Sequence, residues 1–267
     1  MLRDITLGQY FPGDTAIHRL DPRTKIILTF VYIVVLFIAR GALSYIVMLF
    51  WLGSVITISK IRLRVILKGL KPILFIVIMT GALNMFYTPG QTILKLWVIT
   101  VTKEGVIAAG FMALRIIMLI TGSFILTYTT SPIMLTEGIE SLFFPLKRIG
   151  LPVHELAMMM SIALRFIPTL IEETDKIISA QRARGADFDT GGVLKKAKAL
   201  VPILVPLFVS AFRRAEELAV AMESRCYSGG AGRTRMRELR LSSVDFSAAL
   251  CVAVLTAVVI TFGALGI

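Results

Sequence analysis

Long apolar runs dominate this 267-residue chain and constrain its fold more than any other feature. A helix needs about 20 predominantly apolar residues to cross the hydrocarbon core of a bilayer. Five runs approach or exceed this length, at residues 26–39, 42–59, 73–87, 106–128 and 244–267. Only 17% of the residues are charged, whereas an average soluble domain has about 25%. The pattern excludes a soluble globular domain and a disordered chain. It predicts an all-α integral membrane protein with about five transmembrane helices.

The distribution of basic residues predicts how the chain is oriented. The sequence has 29 Lys and Arg against 17 Asp and Glu, a net charge of +12. In a soluble protein this charge would indicate a nucleic-acid partner, but in a membrane protein basic residues accumulate in cytoplasmic loops. With five spans, 25 of the 29 basic residues fall on one side. We therefore expect a multi-pass protein of the cell membrane with a cytoplasmic N-terminus, an outer C-terminus and no nucleic-acid partner.

The apolar runs divide the chain into four parts. A cytoplasmic N-terminal segment is expected at residues 1–23, a four-helix transmembrane region at 24–130, a polar region of three helices at 131–243, and a C-terminal transmembrane helix at 244–267. Within the four-helix region, partly alternating apolar residues between positions 88 and 104 predict a short hairpin or an interfacial strand.

The polar region has a helical sequence pattern, but it is too polar to cross the membrane cleanly. Pro132 and Pro152 are suited to begin its first two helices, and the third is expected to run from Val193 to about Tyr227, closed by Gly229 and Gly230. The third helix is apolar for only 14 residues, below spanning length. The second and third helices are therefore expected to form a long hairpin in or under the inner leaflet. Because residues 156–171 are largely apolar, a chain with seven spans remains an alternative.

Each helix of this predicted hairpin ends with an arginine between small residues. The two tripeptides are Ala183, Arg184 and Gly185 and, 41 residues later, Ser224, Arg225 and Cys226. A guanidinium with small neighbours can enter a groove on a partner and form bidentate bonds to carboxylates or helix-end carbonyls. A cation at a helix C-terminus can also merely complement the helix dipole. Two matching sites favour a binding role.

Other polar residues do not form a catalytic pattern. The sequence contains no phosphate-binding loop of the form GxxxxGK[ST]. His18 and His154 have no convergent carboxylate or serine nearby in the sequence, so no catalytic, cofactor or metal site is expected. Arg115 lies inside the fourth apolar run, where a charge is costly, and Glu137 and Glu140 are its candidate partners.

Methionines on the second polar helix suggest an adaptable surface. Met158 and Met159 lie there with Ile162 one turn further along. Thioethers repack readily against varied partners, so these residues are a candidate docking surface. The alternative is that these methionines merely fill gaps.

Over essentially its whole length, the chain resembles the transmembrane T component (EcfT) of energy-coupling factor ABC transporters. The resemblance rests on the four N-terminal spans, the polar helical region with two arginine tripeptides, and the terminal span. It includes these stretches: Leu20, Asp21, Pro22, Arg23 and Lys25, then residues 145–152 and 165–168. The family's paired Ala-Arg-Gly signature is matched fully at residues 183–185 and only at the arginine in residues 224–226.

The resemblance implies a scaffold that is not an enzyme and binds neither ATP nor the transported substrate. In that family, two coupling helices dock their arginine ends onto two ATP-binding ATPase subunits. A small membrane protein, the S component, carries a vitamin or related micronutrient, and several S components can exchange on one scaffold. Carried over residue by residue, the tripeptides at 183–185 and 224–226 would contact the ATPases. Met158, Met159 and Ile162 would then contact the S component.

Two other classes compete with this interpretation. A permease subunit of a conventional ABC transporter would use one cytoplasmic coupling loop per chain, whereas this chain has two arginine ends. An integral membrane enzyme acting on lipid-linked substrates would need acids or histidines clustered at one membrane face. The acids of the polar helices instead lie among Lys and Arg at salt-bridge spacing.

Overall fold

The computed structural model describes residues 10–96, 99–186, 188, 192–229 and 239–265. Its helices are α1 (Ala16–Arg19), α2 (Pro22–Ile38), α3 (Ala42–Ser59), α4 (Leu63–Tyr87), α5 (Lys103–Thr129), α6 (Pro132–Phe143), α7 (Val153–Ala183), α8 (Val193–Glu223) and α9 (Ser243–Leu265). A 3-10 helix covers Phe144–Ile149, and two short strands are β1 (Thr92–Leu96) and β2 (Ile99–Thr102). The prediction of an all-α membrane protein is confirmed.

The described residues form two compact units. The transmembrane unit comprises residues 10–138 and 239–265, and the hairpin unit comprises residues 139–229. In the transmembrane unit, α2 packs against α5 and α9, α3 packs against the same two helices, and α4 packs along α5. The hairpin unit contains α7 and α8, which pack against each other.

Five of the described helices are long and apolar enough to cross a membrane: α3, α4, α5, α7 and α9. The number of helices agrees with the sequence prediction, but the set differs. The sequence runs included the helix that became α2, whereas the structure includes α7 in its place. Helix α2 has 17 residues, about 25 Å at 1.5 Å per residue, which is at the lower limit of spanning length. Helix α7 qualifies through its apolar first half, which supports only one of the two extra spans that the seven-span alternative requires. Helix α8 does not qualify, in agreement with the sequence analysis.

The buried Tyr32 ring lies in the core of the transmembrane unit. The Tyr32 ring stacks on Trp51 at 5.2 Å between centroids, and its hydroxyl donates to the Met118 carbonyl at 3.2 Å. Gly122 lets α5 approach this ring, because a Cβ at that position would lie 2.4 Å from a ring carbon of Tyr32. Leu36, Met48 and Val259 are fully buried around it. Helices α2, α3, α5 and α9 are thereby joined into one bundle.

A buried polar cluster joins the starts of α2 and α9 to the end of α5. Asp245 accepts hydrogen bonds from the backbone N–H groups of Asp21 at 2.8 Å and Ser242 at 2.7 Å. Lys25 is 5% exposed, and its ammonium donates to the Thr129 carbonyl at 2.8 Å. A buried polar group is costly unless it is hydrogen-bonded, as the Asp245 carboxylate and the Lys25 ammonium are. The Asp21 and Lys25 positions noted in the sequence therefore organise the bundle.

Arg115 is held by partners other than those predicted. Its Nε donates to the Tyr45 hydroxyl at 2.8 Å, and a terminal nitrogen donates to the Ala39 carbonyl at 3.3 Å. Ala39 caps the C-terminus of α2, where a cation complements the helix dipole. The expectation of Glu137 or Glu140 as partner was wrong, and Glu140 instead pairs with His154 at 3.0 Å.

The segment between α4 and α5 forms the predicted hairpin. Strands β1 and β2 pair antiparallel, with Leu96 opposite Ile99. The Glu104 carboxylate accepts from the Gln91 backbone N–H at 2.7 Å, which links the start of α5 to the chain before β1.

Candidate functional site

The α7–α8 hairpin positions the two arginine tripeptides. The Glu173 carboxylate on α7 accepts hydrogen bonds from Ser210 and, at 2.6 Å, from Arg214 on α8. Eight residues further along α7, the Gln181 side chain donates to the Pro202 carbonyl at 3.3 Å, eight residues earlier on α8 than Ser210. Contacts that advance along one helix and recede along the other show that α7 and α8 run antiparallel.

At the end of α7, Arg184 caps the helix and Gly185 reverses the backbone. Gly185 has φ of 86°, in the left-handed region that glycine adopts without a steric penalty. Its N–H donates to the Arg182 carbonyl at 2.9 Å, and the Ala186 N–H donates to the Gln181 carbonyl at 3.0 Å. This pair of bonds is the Schellman motif, which satisfies the last carbonyls of a helix.

The end of α8 has the same backbone arrangement. Cys226 has φ of 57°, and its N–H donates to the Glu223 carbonyl at 2.8 Å. The Tyr227 N–H donates to the Met222 carbonyl at 3.0 Å. Arg225 therefore stands immediately before the left-handed residue, as Arg184 does. The left-handed residue that closes α8 is therefore Cys226. The expectation that Gly229 closes the helix was wrong. The other glycine expected there, Gly230, lies outside the described residues.

The structure therefore makes the two tripeptides equivalent where the sequence matches only at the arginine. Ala183 and Ser224 each stand directly before the arginine, and Gly185 and Cys226 each follow it in the left-handed conformation. All six of these residues are exposed. Neither arginine side chain bonds to another residue within the described part of the chain.

The arginines are also placed alike relative to the contact between the helices. Glu173 precedes Arg184 by eleven residues, and Arg214 precedes Arg225 by eleven residues. Each arginine thus lies three turns, about 16 Å, beyond the Glu173–Arg214 ion pair. Because the helices are antiparallel, the two arginines lie in opposite directions from this ion pair. The hairpin therefore presents two similar arginine ends about 30 Å apart along its axis.

The predicted methionine surface is only partly exposed. Met159 is 54% exposed, whereas Met158 and Ile162 are half-buried. Met158 and Ile162 are four residues apart and so share one face of α7, while Met159 lies beside that face.

A larger apolar surface lies on α8, which the sequence analysis did not select. Residues 203, 207, 210 and 214 form a buried to half-buried stripe at helical spacing that includes the contacts to α7. A second stripe, two residues out of phase, is exposed: Val201 53%, Val205 56%, Phe208 61% and Phe212 72%. We call it the α8 apolar stripe. The spacing i, i+4, i+7 and i+11 is visible in the sequence, but only the burial of the other stripe shows which face is free.

The histidines have local structural partners. His18 Nε2 lies 3.0 Å from the Phe11 carbonyl, and its Nδ1 lies 2.7 Å from the Thr15 hydroxyl. Burial lowers the pKa of His18 from its ordinary value, because it disfavours the charged imidazolium. Among the described residues, no group of three or more His, Cys, Asp or Glu side chains could hold a metal ion.

These features define the class of the molecule as a multi-pass membrane protein that carries a helical hairpin with two alike arginine ends. Comparison with known proteins gives the family. The family model described as CbiQ, cobalt transport protein, matches residues 13–236. The chain is 56% identical over 260 residues to the energy-coupling factor transporter transmembrane protein EcfT of Clostridium kluyveri, covering 97% of this chain and 96% of that protein. The chain belongs to the EcfT family of energy-coupling factor transporter transmembrane proteins.

Two further relatives carry the same name. The EcfT proteins of Thermosediminibacter oceani and Bacillus subtilis are 54% and 48% identical over 247 and 258 residues. These matches cover 92% and 96% of this chain, and 93% and 97% of the relatives. The relatives are named as transporter components, which confirms that this chain is a transport protein of the membrane and not an enzyme.

Proposed function

We propose that this chain is the membrane scaffold of an energy-coupling factor importer, which couples ATP hydrolysis by two ATPase subunits to micronutrient uptake through a separate S component. The observation that carries the proposal is the pair of equivalent, exposed arginine caps on the hairpin. One chain with two like sites is suited to a pair of like subunits. Substrate specificity, for a vitamin or a related micronutrient, then resides in the S component.

The chemistry of the caps suits docking on another protein. A guanidinium offers five donors in a planar fork, which can form bidentate bonds to a carboxylate or reach several carbonyls. Each arginine follows a small residue and precedes a tight backbone reversal, so little protein surrounds the fork. The ammonium of a lysine lacks this geometry. We infer that Arg184 and Arg225 each enter a groove on one ATPase subunit, with Ala183, Gly185, Ser224 and Cys226 in contact at its rim.

The S component is expected to bind the apolar side of the same hairpin. The α8 apolar stripe and Met159 offer large exposed side chains without charge. Exposed apolar surface of this extent indicates a protein or membrane partner. A surface of aliphatic and thioether groups, without directional hydrogen bonds, can accept several S components in exchange.

The proposal requires the hairpin to lie along the membrane instead of crossing it. Both ATPases bind on the cytoplasmic side, so both arginines must be there. The arginine ends are about 30 Å apart along the hairpin axis, which equals the thickness of the hydrocarbon core. An upright hairpin would place them on opposite sides. A hairpin in or under the inner leaflet, with a cytoplasmic N-terminus and an outer C-terminus, is consistent with the distribution of basic residues.

Thiol labelling tests this placement. The chain has two free cysteines, Cys226 and Cys251, and Cys226 lies at one arginine end. In a Cys251→Ser background, Cys226 reports on the Arg225 end. In a Cys226→Ser/Cys251→Ser background, Ala186→Cys reports on the Arg184 end. A membrane-impermeant maleimide should label both positions only from the cytoplasmic side of oriented vesicles. Labelling of the two positions from opposite sides would contradict the proposed placement.

Reconstitution tests the function itself. The purified chain alone should not hydrolyse ATP, because the sequence has no phosphate-binding loop. It should not retain substrate either, because in this proposal the substrate is bound by the S component. Proteoliposomes that also contain the two ATPase subunits and an S component should take up substrate when ATP is supplied on the ATPase side. Omitting this chain from the mixture is the control and should eliminate uptake. Uptake without the chain, or substrate binding by the chain alone, would refute the scaffold proposal.

A further inference from the structure

A concentrated patch of positive charge lies where α3 ends and α4 begins. Five cations occur within twelve residues, and the same stretch contains no acidic residue: Lys60, Arg62, Arg64, Lys68 and Lys71. All five are exposed. None of them forms an ion pair with any residue that the structure describes. We call residues 60–71 the basic segment.

In the helical part of the basic segment, cations and leucines lie side by side on the exposed surface of α4. Ile66 is buried and marks the face of α4 that meets the rest of the bundle. Arg64, Lys68 and Lys71 follow the spacing i, i+4 and i+7 on the opposite face. A stripe of leucines runs beside the cations, with Leu63 63% exposed and Leu67 66% exposed. Large apolar side chains therefore stand uncovered next to uncompensated positive charge.

The outward face of α4 changes character immediately after this segment. Phe75 continues the stripe of Arg64, Lys68 and Lys71 by one more turn, and it is 73% exposed. A phenylalanine so exposed in a spanning helix belongs in the hydrocarbon, so the boundary of the apolar core lies between Lys71 and Phe75. Arg64 to Lys71 covers about 10 Å of helix. The headgroup layer is only about 5–7 Å thick on each side of a bilayer. The basic segment therefore occupies the headgroup layer and its aqueous border.

We propose that the basic segment binds the headgroups of anionic phospholipids. Each side chain in the two stripes suits this partner: the cations face phosphate groups, and the leucines beside them reach the upper acyl chains. Basic clusters next to a spanning helix attract acidic lipids by about 1 kcal/mol per cation, and a basic amphipathic helix inserts its apolar side at the interface. Arg62 and Arg64 add forked donors that match phosphate oxygens.

Native mass spectrometry of the full chain can test this binding. The purified protein is mixed with equal amounts of palmitoyl-oleoyl phosphatidylglycerol and the corresponding phosphatidylcholine, and the bound lipids are counted. We expect phosphatidylglycerol to be retained preferentially. The variant Arg64→Gln/Lys68→Gln/Lys71→Gln should lose this preference by about fivefold per cation removed. The variant Arg64→Lys/Lys68→Arg/Lys71→Arg keeps the charge and should keep the preference, which also shows that these positions tolerate substitution.

A second triple variant controls for net charge. Lys147→Gln/Arg148→Gln/Lys198→Gln removes three exposed cations from the hairpin unit, and it should retain the preference for phosphatidylglycerol. The proposal is overturned if the parent protein shows no preference, or if the two glutamine triples lose it equally. It is also overturned if the basic-segment triple keeps its lipid preference but fails to bind the ATPase subunits, because the patch would then serve a protein surface.

Discussion

Replacing both hairpin arginines, as Arg184→Ala/Arg225→Ala, is expected to abolish binding of the ATPase subunits and to reduce ATP-driven uptake to background. Truncating one partner of a buried, charge-assisted contact costs about 2–5 kcal/mol, which corresponds to a loss in affinity of roughly 30-fold or more at each site. Because neither arginine bonds to another described residue of its own chain, their loss should not disturb the hairpin. Copurification of tagged ATPases and uptake in proteoliposomes measure the two effects.

The single variants separate the two sites. Arg184→Ala and Arg225→Ala should each retain one ATPase and lose most uptake, because the unaltered arginine still docks. Arg184→Lys should also bind weakly, since an ammonium does not reproduce the forked contact. The matched control is Cys226→Gly, which gives the second cap the residue found at Gly185 and relieves a left-handed conformation that is unfavourable for cysteine. It should assemble like the parent. Full assembly and uptake by the double alanine variant would rule out both caps as docking sites.

Local rules were sufficient to predict most of the helices. The apolar runs assigned to α3, α5 and α9 agree with the structure within a few residues, because spanning length is a property of a continuous stretch of sequence. Helix α4 begins at Leu63, ten residues before its predicted apolar run, because Pro72 lies inside the helix and does not end it. The partner of Arg115 could not be predicted, since Tyr45 is 70 positions away and only the packing of α3 on α5 brings them together.

The candidate site was predicted only in part, because some of its features are local in the sequence and others depend on tertiary packing. The arginine tripeptides stand out in the sequence because small residues and cations favour helix ends. The equivalence of the two tripeptides is not visible in the sequence, because Cys226 takes a left-handed conformation for which glycine is the usual signal. The α8 apolar stripe was overlooked because α8 is apolar on two faces. Which face is free depends on the Glu173–Arg214 contact with α7, a tertiary interaction that periodicity alone does not specify.

A charge placed on the α8 apolar stripe is expected to prevent capture of the S component while leaving ATPase binding intact. Phe208 is 61% exposed and central in the stripe, and it faces away from the contacts with α7. Burying a phenylalanine in an interface contributes about 1.5–3 kcal/mol, and an aspartate in its place would add the cost of desolvating an unpaired charge. Phe208→Asp should therefore weaken S-component binding by roughly 100-fold or more. Because the side chain is exposed in the isolated chain, the hairpin itself should remain folded.

Matched variants locate the surface more closely. Phe208→Leu keeps an apolar side chain and should bind the S component nearly as well as the parent. Met159→Asp tests the α7 side and should weaken capture. Ile162 is half-buried, so Ile162→Asp should also destabilise the hairpin, and thermal melting measures that loss of stability. Capture of a tagged S component and copurification of the ATPases are measured on the same preparations. If Phe208→Asp instead loses the ATPases and retains the S component, the apolar face carries the ATPase contact and the two surfaces must be exchanged.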